Sequence, residues 1–394
     1  MRTLEVSSAH GVERSHSIAE VRIYNGFEEL PAHCGAVFET ASTTSGIFLS
    51  LPWFRNLAAT AFGSDEHMRI YSVESGTGES RQLLLLPMCH KKMSKKRFAS
   101  RRLVAAGNYY TSLFSPIAFG PSDDLQKHMD ILAKAIAADT PHWDSVDLHP
   151  LETGTAFFNS LQQAFRTAGM AVQTYFCFGN WYLEVNGRSY QDYFNSLPSR
   201  LKNTLKRKTR QLSETGRLRL EIISEIEDID RAIVSYEKVY TASWKKPEDY
   251  PAFIPGLLRM GAEQGWLRLG IAYIDGEPAA AQIWFVNNHI ASIFKLAYDE
   301  RFSSYSVGSI LTARLMQHVI DVDWVKEVDY LTGDDDYKRD WMSHRRERWG
   351  IVAFNLRTLN GTLAAIRHLG GAILKRLAAR SRTSPLAPAH ATSG

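Results

Sequence analysis

The stretch Val328-Asp329-Tyr330-Leu331-Thr332-Gly333-Asp334-Asp335-Asp336-Tyr337-Lys338-Arg339-Asp340-Trp341 runs from an apolar strand directly into a cluster of acid, phenol and amine. Asp334 is suited to cap a helix whose first turn carries Asp335 and Asp336, because negative charge there complements the helix dipole. Such a turn would expose Tyr337 and Lys338 at the C-terminal end of a strand, the edge where open α/β sheets place ligands.

Working outward, the flanking sequence alternates strand-like and helical patterns. Before the quoted stretch, strands are expected at 218–223, 267–274, 278–286 and 290–298, and helices at 190–212, 226–243, 255–264 and 307–322. Asp275-Gly276 between two of the strands is a strong hairpin signal. A strand near 351–356 would complete the sheet. The first half has the same grammar, with strands at 68–73, 83–88, 145–148 and 171–176, helices at 51–62, 124–138 and 156–168, and a connecting strand at 181–185. The expected fold class is therefore α/β, with a mixed central sheet flanked by helices in each half.

Composition sets the outer limits. A chain of 394 residues exceeds one typical core, and 44% apolar with 22% charged residues describes an ordinary globular protein. Cys34, Cys89 and Cys177 are too widely spaced for a disulfide framework or a zinc site, which suits a reducing cytoplasm. No apolar run reaches the length of a membrane span, and no metal is expected. The P-loop, H-E-x-x-H and G-x-S-x-G patterns are all absent, which removes the commonest nucleotide-hydrolase, metalloprotease and α/β-hydrolase readings.

Several blocks in order carry a resemblance: LPSRLKNTLKRKTRQL at 197–212, SWK at 243–245, AAAQIWFVNNHIASIFKLAYDERFSSYSVGSILTARL at 279–315, and DYLTGDDDYKRDW at 329–341. Together they resemble the GNAT acyltransferases, in particular the CelD-like branch associated with cellulose and exopolysaccharide clusters, related in architecture to the Fem peptidyltransferases. LVAAGNYY at 103–110 is similar to the matching strand and turn in the first half. The resemblance implies tandem GNAT-like domains: a flexible tail at 1–20, a divergent N-terminal domain at 21–185, an acyltransferase domain at 186–358, and a basic amphipathic helix with a disordered tail at 359–394.

What the resemblance implies for the site is specific. The loop at 301–309 sits where GNAT enzymes bind the donor pyrophosphate at a helix N-terminus, which nominates Ser306, Val307, Gly308 and Ser309. Acyl-CoA is the donor the resemblance implies; the loop carries one glycine where the family pattern has two, which keeps acyl carrier protein and aminoacyl-tRNA open as alternatives. Tyr337 stands where many GNAT enzymes keep a tyrosine that protonates the departing thiolate. Lys338 corresponds to a lysine of Fem-like proteins that stabilises charge during transfer. Trp244, Lys245, Gln282 and Lys295 match positions that would line an acceptor pocket. Spacing alone does not single out a general base; Asp334, Glu237 and His289 are the candidates, with Asp334 nearest the motif.

Two basic runs, Arg200 to Arg210 and Lys91 to Arg102, are either solvated faces or anion-recruiting surfaces. After Glu347 the chain has no acidic residue, and Arg367, Lys375 and Arg376 accompany an apolar stripe that suits peripheral contact with an inner membrane. The expected function is transfer of an acyl group from acyl-CoA to an amine of a sugar, amino acid or lipid-linked acceptor, in envelope polysaccharide or lipid biosynthesis. A Fem-like transferase using aminoacyl-tRNA, and a non-catalytic assembly component of a polysaccharide system, are the rivals. No permanently bound cofactor is expected.

Overall fold

In the computed structural model, which describes residues 19–91, 99–120 and 124–368, the first half opens with strand β1 (Glu20–Tyr24) and helices α1 (His33–Ser45) and α2 (Leu51–Thr60). Strands β2 (Glu66–Ser75), β3 (Gln82–Lys91), β4 (Arg102–Ala105) and β5 (Ile117–Phe119) follow, then α3 (Leu125–Ala138), β6 (Ser145–Glu152), α4 (Ala156–Thr167) and β7 (Met170–Glu184). The second half continues with α5 (Tyr190–Ser196), α6 (Ser199–Ser213), β8 (Leu218–Ile223), α7 (Ile229–Thr241) and α8 (Phe253–Glu263). Strands β9 (Leu267–Ile274), β10 (Glu277–Asn287) and β11 (Ile290–Tyr298) lead to α9 (Val307–Asp321), β12 (Glu327–Asp329), the single turn α10 (Asp336–Arg339) and β13 (His344–Asn355).

All thirteen strands join one mixed sheet, in the order β1-β2-β3-β4-β6-β13-β7-β12-β11-β10-β9-β8, with β5 paired to β3. The Asp275-Gly276 hairpin forms with φ of 53° and 82°, the left-handed pair that a tight turn between right-twisted strands requires. The expected helix over 190–212 is two helices, because Pro198 cannot supply the backbone N–H that a continuous helix would need there. The expected strands 171–176 and 181–185 are one strand, β7. Gly179 allows this: a Cβ there would meet Arg345 Nη2 at 2.6 Å and Asp334 Cγ at 2.7 Å, so the bare backbone lets that ion pair lie across the strand.

β7 and β13 are long enough to serve both halves. Residues 344–348 of β13 pair with 178–182 of β7, beside β12, whereas residues 351–354 insert between β6 and the start of β7. We propose keeping the division of the chain path at 185 while assigning 349–355 to the sheet of the first half, because that is where they pair. The halves also share a core. Trp53 meets Phe253 edge-on at 5.6 Å, and Tyr110 stacks on Phe253 at 4.4 Å, within one apolar cluster that spans α1, α2, α7 and α8. Asn56 Nδ2 donates to the Phe253 carbonyl at 3.2 Å across the same junction.

No helix among the described residues is long and apolar enough to cross a membrane. Residues 359–368 begin a helix on which Leu359, Leu363 and Ile366 are exposed. The rest of the basic C-terminal segment, the tail before residue 19, and positions 92–98 of the second basic run lie outside the described residues.

Candidate active site

β11 and β12 run parallel for three residues only. Ile290, Ala291 and Ser292 face Glu327, Val328 and Asp329, and beyond that pair the strands separate. The cause is local. Leu331 adopts a left-handed backbone, φ 53°, which turns the chain out of the sheet. Asp329 Oδ1 accepts from Leu331 N–H at 2.7 Å, and Asn180 Nδ2 donates to the Leu331 carbonyl at 2.9 Å, so the turn is held at both ends. A bulky residue in this region costs roughly 1–3 kcal/mol and persists only where its surroundings enforce it.

The separation opens a wedge with a cavity of about 270 Å³, lined on one side by Ile293 to Leu296 and on the other by Tyr330, Leu331 and Thr332. Lys245, Asp335, Tyr337 and Lys338 line it from the loops and α10, and Tyr109, Tyr110 and Ser112 cover it from the first half. Ser112 Oγ and Thr332 Oγ1 are 2.8 Å apart, which ties that cover to the end of the strand. The structure therefore brings together Lys245, Lys295, Tyr337 and Lys338 from distant parts of the sequence.

Their environments differ. Tyr337 is 45% exposed, its ring edge-on to Tyr330 at 5.8 Å, and burial of its hydroxyl region with help from Asp335 pushes its pKa up to about 12. It is thus protonated at neutral pH. Lys338 is only 4% exposed, against the expectation of an exposed pair. Its Nζ donates to the Thr332 carbonyl at 2.6 Å, with the carbonyls of Gly333 and Tyr330 at 3.3 and 3.4 Å and Asp335 Oδ2 also at 3.4 Å. Burial lowers its pKa even though Asp335 opposes the shift. Lys245 makes no ion pair among the described residues; burial, with repulsion from Lys295 and Lys338, lowers its pKa as well.

Lys295 is tied to Glu248, which also accepts from the Tyr110 hydroxyl, and the Lys295 ammonium lies 4.9 Å from the Tyr110 ring centre. Burial alone would raise the Glu248 pKa, but hydrogen bonds from Lys295, Tyr110 and Tyr240 outweigh it and hold the carboxyl below its ordinary value. Glu248, Asp335 and the Tyr109-Tyr110 pair escaped the site reading. The aromatic pair following a Gly-Asn turn was the available signal.

Other candidates fall elsewhere. Asp334 does not line the wedge: Arg345 grips it on the outer side with Nη2 at 2.7 Å, and hydrogen bonding from that guanidinium lowers its pKa. Nor does it cap α10; Asp335 holds the cap position, because the chain turns one residue later than expected. Gln282 is buried beneath α9, donating to the Gly308 carbonyl at 2.9 Å and to Thr312 Oγ1 at 2.8 Å. Trp244 packs on Tyr298 with the rings tilted at 46° and 4.6 Å apart, outside the cavity lining. His289 sits in the β10–β11 turn, and Glu237 is exposed on α7.

Ser306, Val307, Gly308 and Ser309 do form the N-terminus of α9. Ser306 is left-handed at φ 55° and caps nothing with its side chain, which leaves first-turn N–H groups without a side-chain acceptor. A Cβ at Gly308 would meet only Tyr298 Cδ1, at 3.5 Å.

Comparison with known proteins agrees with this architecture. No curated protein sequence matches the chain. A crystal structure of FemX superposes with a TM-score of 0.58 at 11% identity, covering 85% of this chain and 98% of FemX. A conserved protein of unknown function from Bacteroides thetaiotaomicron gives 0.51 at 11% identity, over 84% of this chain and 100% of its own. The C-terminal domain of a putative lysylphosphatidylglycerol synthetase from Agrobacterium fabrum gives 0.48 at 12% identity, over 87% and 97%. Residues 199–339 match the acetyltransferase (GNAT) domain family, and Lys245, Lys295 and Lys338 of the wedge lie within that matched segment of a mixed α/β chain.

Proposed function

We propose that the wedge transfers an acyl group from acyl-CoA to an amine of a sugar, amino acid or lipid-linked acceptor. The observation that carries this reading is the separation of β11 from β12 after Ser292 and Asp329, with Lys245, Lys338 and Tyr337 on its walls. Separated strands leave backbone N–H and C=O groups for an extended, amide-containing arm to pair with, as an added strand would. The amine nitrogen adds to the acyl carbon to give a tetrahedral intermediate, and the carbon–sulfur bond then breaks. Lys245 and the fixed charge of Lys338 stabilise the oxyanion that forms between those events. Tyr337 gives its proton to the leaving thiolate, and Asp335, at the cavity edge, takes the proton the amine loses.

The N-terminus of α9 is the proposed seat of the donor's pyrophosphate. Gly308→Val should lower acyl-CoA affinity at least about tenfold, because branched carbons there obstruct the approach of a phosphate to the backbone N–H groups. The fold should tolerate the change, given the open space at this position. Titration calorimetry and thermal unfolding on the same variant separate the two effects, and unchanged affinity would remove the pyrophosphate from this helix.

Native mass spectrometry of the full chain with short and long acyl-CoAs, acyl carrier protein and aminoacyl-tRNA tests the donor class. The tRNA alternative draws on the exposed face of α6, where Arg200, Lys206, Arg207 and Arg210 line one shallow surface. Its signature is binding that weakens steeply with salt.

We extend the reading to a role in envelope polysaccharide or lipid synthesis at the membrane surface. Leu359, Leu363 and Ile366 share one exposed helical stripe, flanked by Arg357 and Arg367. Anionic vesicles should therefore retain the wild-type protein at low salt and release the Leu363→Asp/Ile366→Asp variant. Equal sedimentation of both proteins with vesicles would exclude this stripe as the anchor.

A further inference from the structure

A second and larger cavity, of about 500 Å³, lies between the two halves. Its walls include Phe48, Leu49, Phe114, Ile117, Leu151 and Phe158, all buried. Its polar floor is already closed on itself. Arg346 Nη2 donates to Glu327 at 2.6 Å and to Asp329 at 2.5 Å, its Nε donates to Asn180 at 2.6 Å, and Asn180 Nδ2 donates to Asp329 at 2.5 Å. Arg348 is similarly paired with Glu152 at 2.9 Å. Because these groups satisfy one another, a polar guest gains few hydrogen bonds here, whereas an apolar guest keeps the network intact and removes its own apolar surface from water.

The cavity adjoins the wedge. Ser292 and Asp329, the last pair before β11 and β12 separate, line it. Ser112 and Leu331 line both spaces, and the left-handed turn is what sets the Leu331 side chain between them. A thioester in the wedge thus has this chamber next to it, across Ser112 and Leu331.

We propose that this chamber houses the hydrocarbon chain of the donor, making the substrate a medium-chain acyl thioester on the order of ten carbons, as a cavity of this size accommodates. The assignment rests on the transfer reading given above and adds the class of acyl group. The chamber also favours longer donors over short ones, because an acetyl group has no chain to bury there.

Two probes on the full chain test this. Decanoyl-CoA should bind at least about tenfold more tightly than acetyl-CoA, the direction set by burying additional methylenes. Ser115→Phe and Thr44→Trp, which fill the chamber from its wall and its rim, should abolish that preference while acetyl-CoA affinity and the unfolding midpoint stay at wild-type values. Equal affinity for the two thioesters, or a preference that survives both variants, would overturn the proposal. Dansyl-labelled undecanoate reads the chamber without any CoA. If it binds wild type and is lost in both variants while no CoA thioester binds, the chain site stands and the CoA donor falls. If it does not bind, the chamber assignment falls whatever the donor.

Discussion

Arg346→Met should destabilise the protein by about 3–5 kcal/mol, the cost of leaving buried charge without its partner. The guanidinium is shared by Glu327 and Asp329 on β12, in the middle of the sheet, and a third hydrogen bond holds Asn180 on β7. Burial already keeps the Glu327 carboxyl above its ordinary value against the pull of Arg346. Without the arginine, the Glu327 carboxyl would titrate further above its unfolded value. The contribution of that group to the variant's stability is then fully present below the unfolded carboxylate range and is lost as pH rises through the raised folded value of Glu327. Its deficit against wild type should accordingly be smaller at about pH 5 than at about pH 8. Urea unfolding at both pH values measures this, and a loss under about 1 kcal/mol that ignores pH would mean the two carboxylates are solvated.

Removing the wedge lysines should have the largest effect on chemistry. Lys245→Met and Lys338→Met are each expected to lower turnover by about a hundredfold, the scale of losing one oxyanion-stabilising group. The two should differ in their side effects. Lys338 clasps three carbonyls of its own turn, so its loss also loosens the wedge and weakens donor binding, whereas Lys245 has no such clasp to lose. Tyr337→Phe should cost about tenfold, as expected for a general acid. Both lysines titrate below the ordinary lysine range, so the alkaline limb of the rate profile should fall below about pH 10.4. Wild-type turnover in both lysine variants would place the chemistry outside the wedge.

Much of the second half was legible in the sequence, because its signals are local. The Asp-Gly hairpin, the apolar runs of β9 to β11 and the helix after the serine-rich loop each follow from a few neighbouring residues. Helix α1 was not legible: HCGAVFETASTTS is rich in serine and threonine, which favour helices weakly, and tertiary packing of Val37, Phe38 and Ala41 decides it. The continuity of β7 was hidden by Gly179-Asn180, which reads as a break until Arg345 and Asp334 are seen to need the space. In the wedge, residue types were readable and environments were not. That Lys338 is buried, that Asp334 is taken by Arg345, and that Glu248 reaches Lys295 all depend on contacts between segments far apart in the chain.

The shared strand β13 bears on how the protein is made. Phe354 pairs with Ser145 and Ala353 with Val146, so the first half's sheet has a vacant lane between β6 and β7 while more than half of the chain is still being synthesised. A nascent chain emerging in order would present β6 and β7 with an open seam between them, exposing a stretch of unpaired backbone of the kind that invites wrong partners. Only after residue 355 has left the ribosome can that seam close, and its closure joins residues 145–182 to a strand made more than 150 residues later in one step. Maturation of the first half is thereby coupled to completion of the second, and a transcript truncated before β13 would yield a chain with neither half finished.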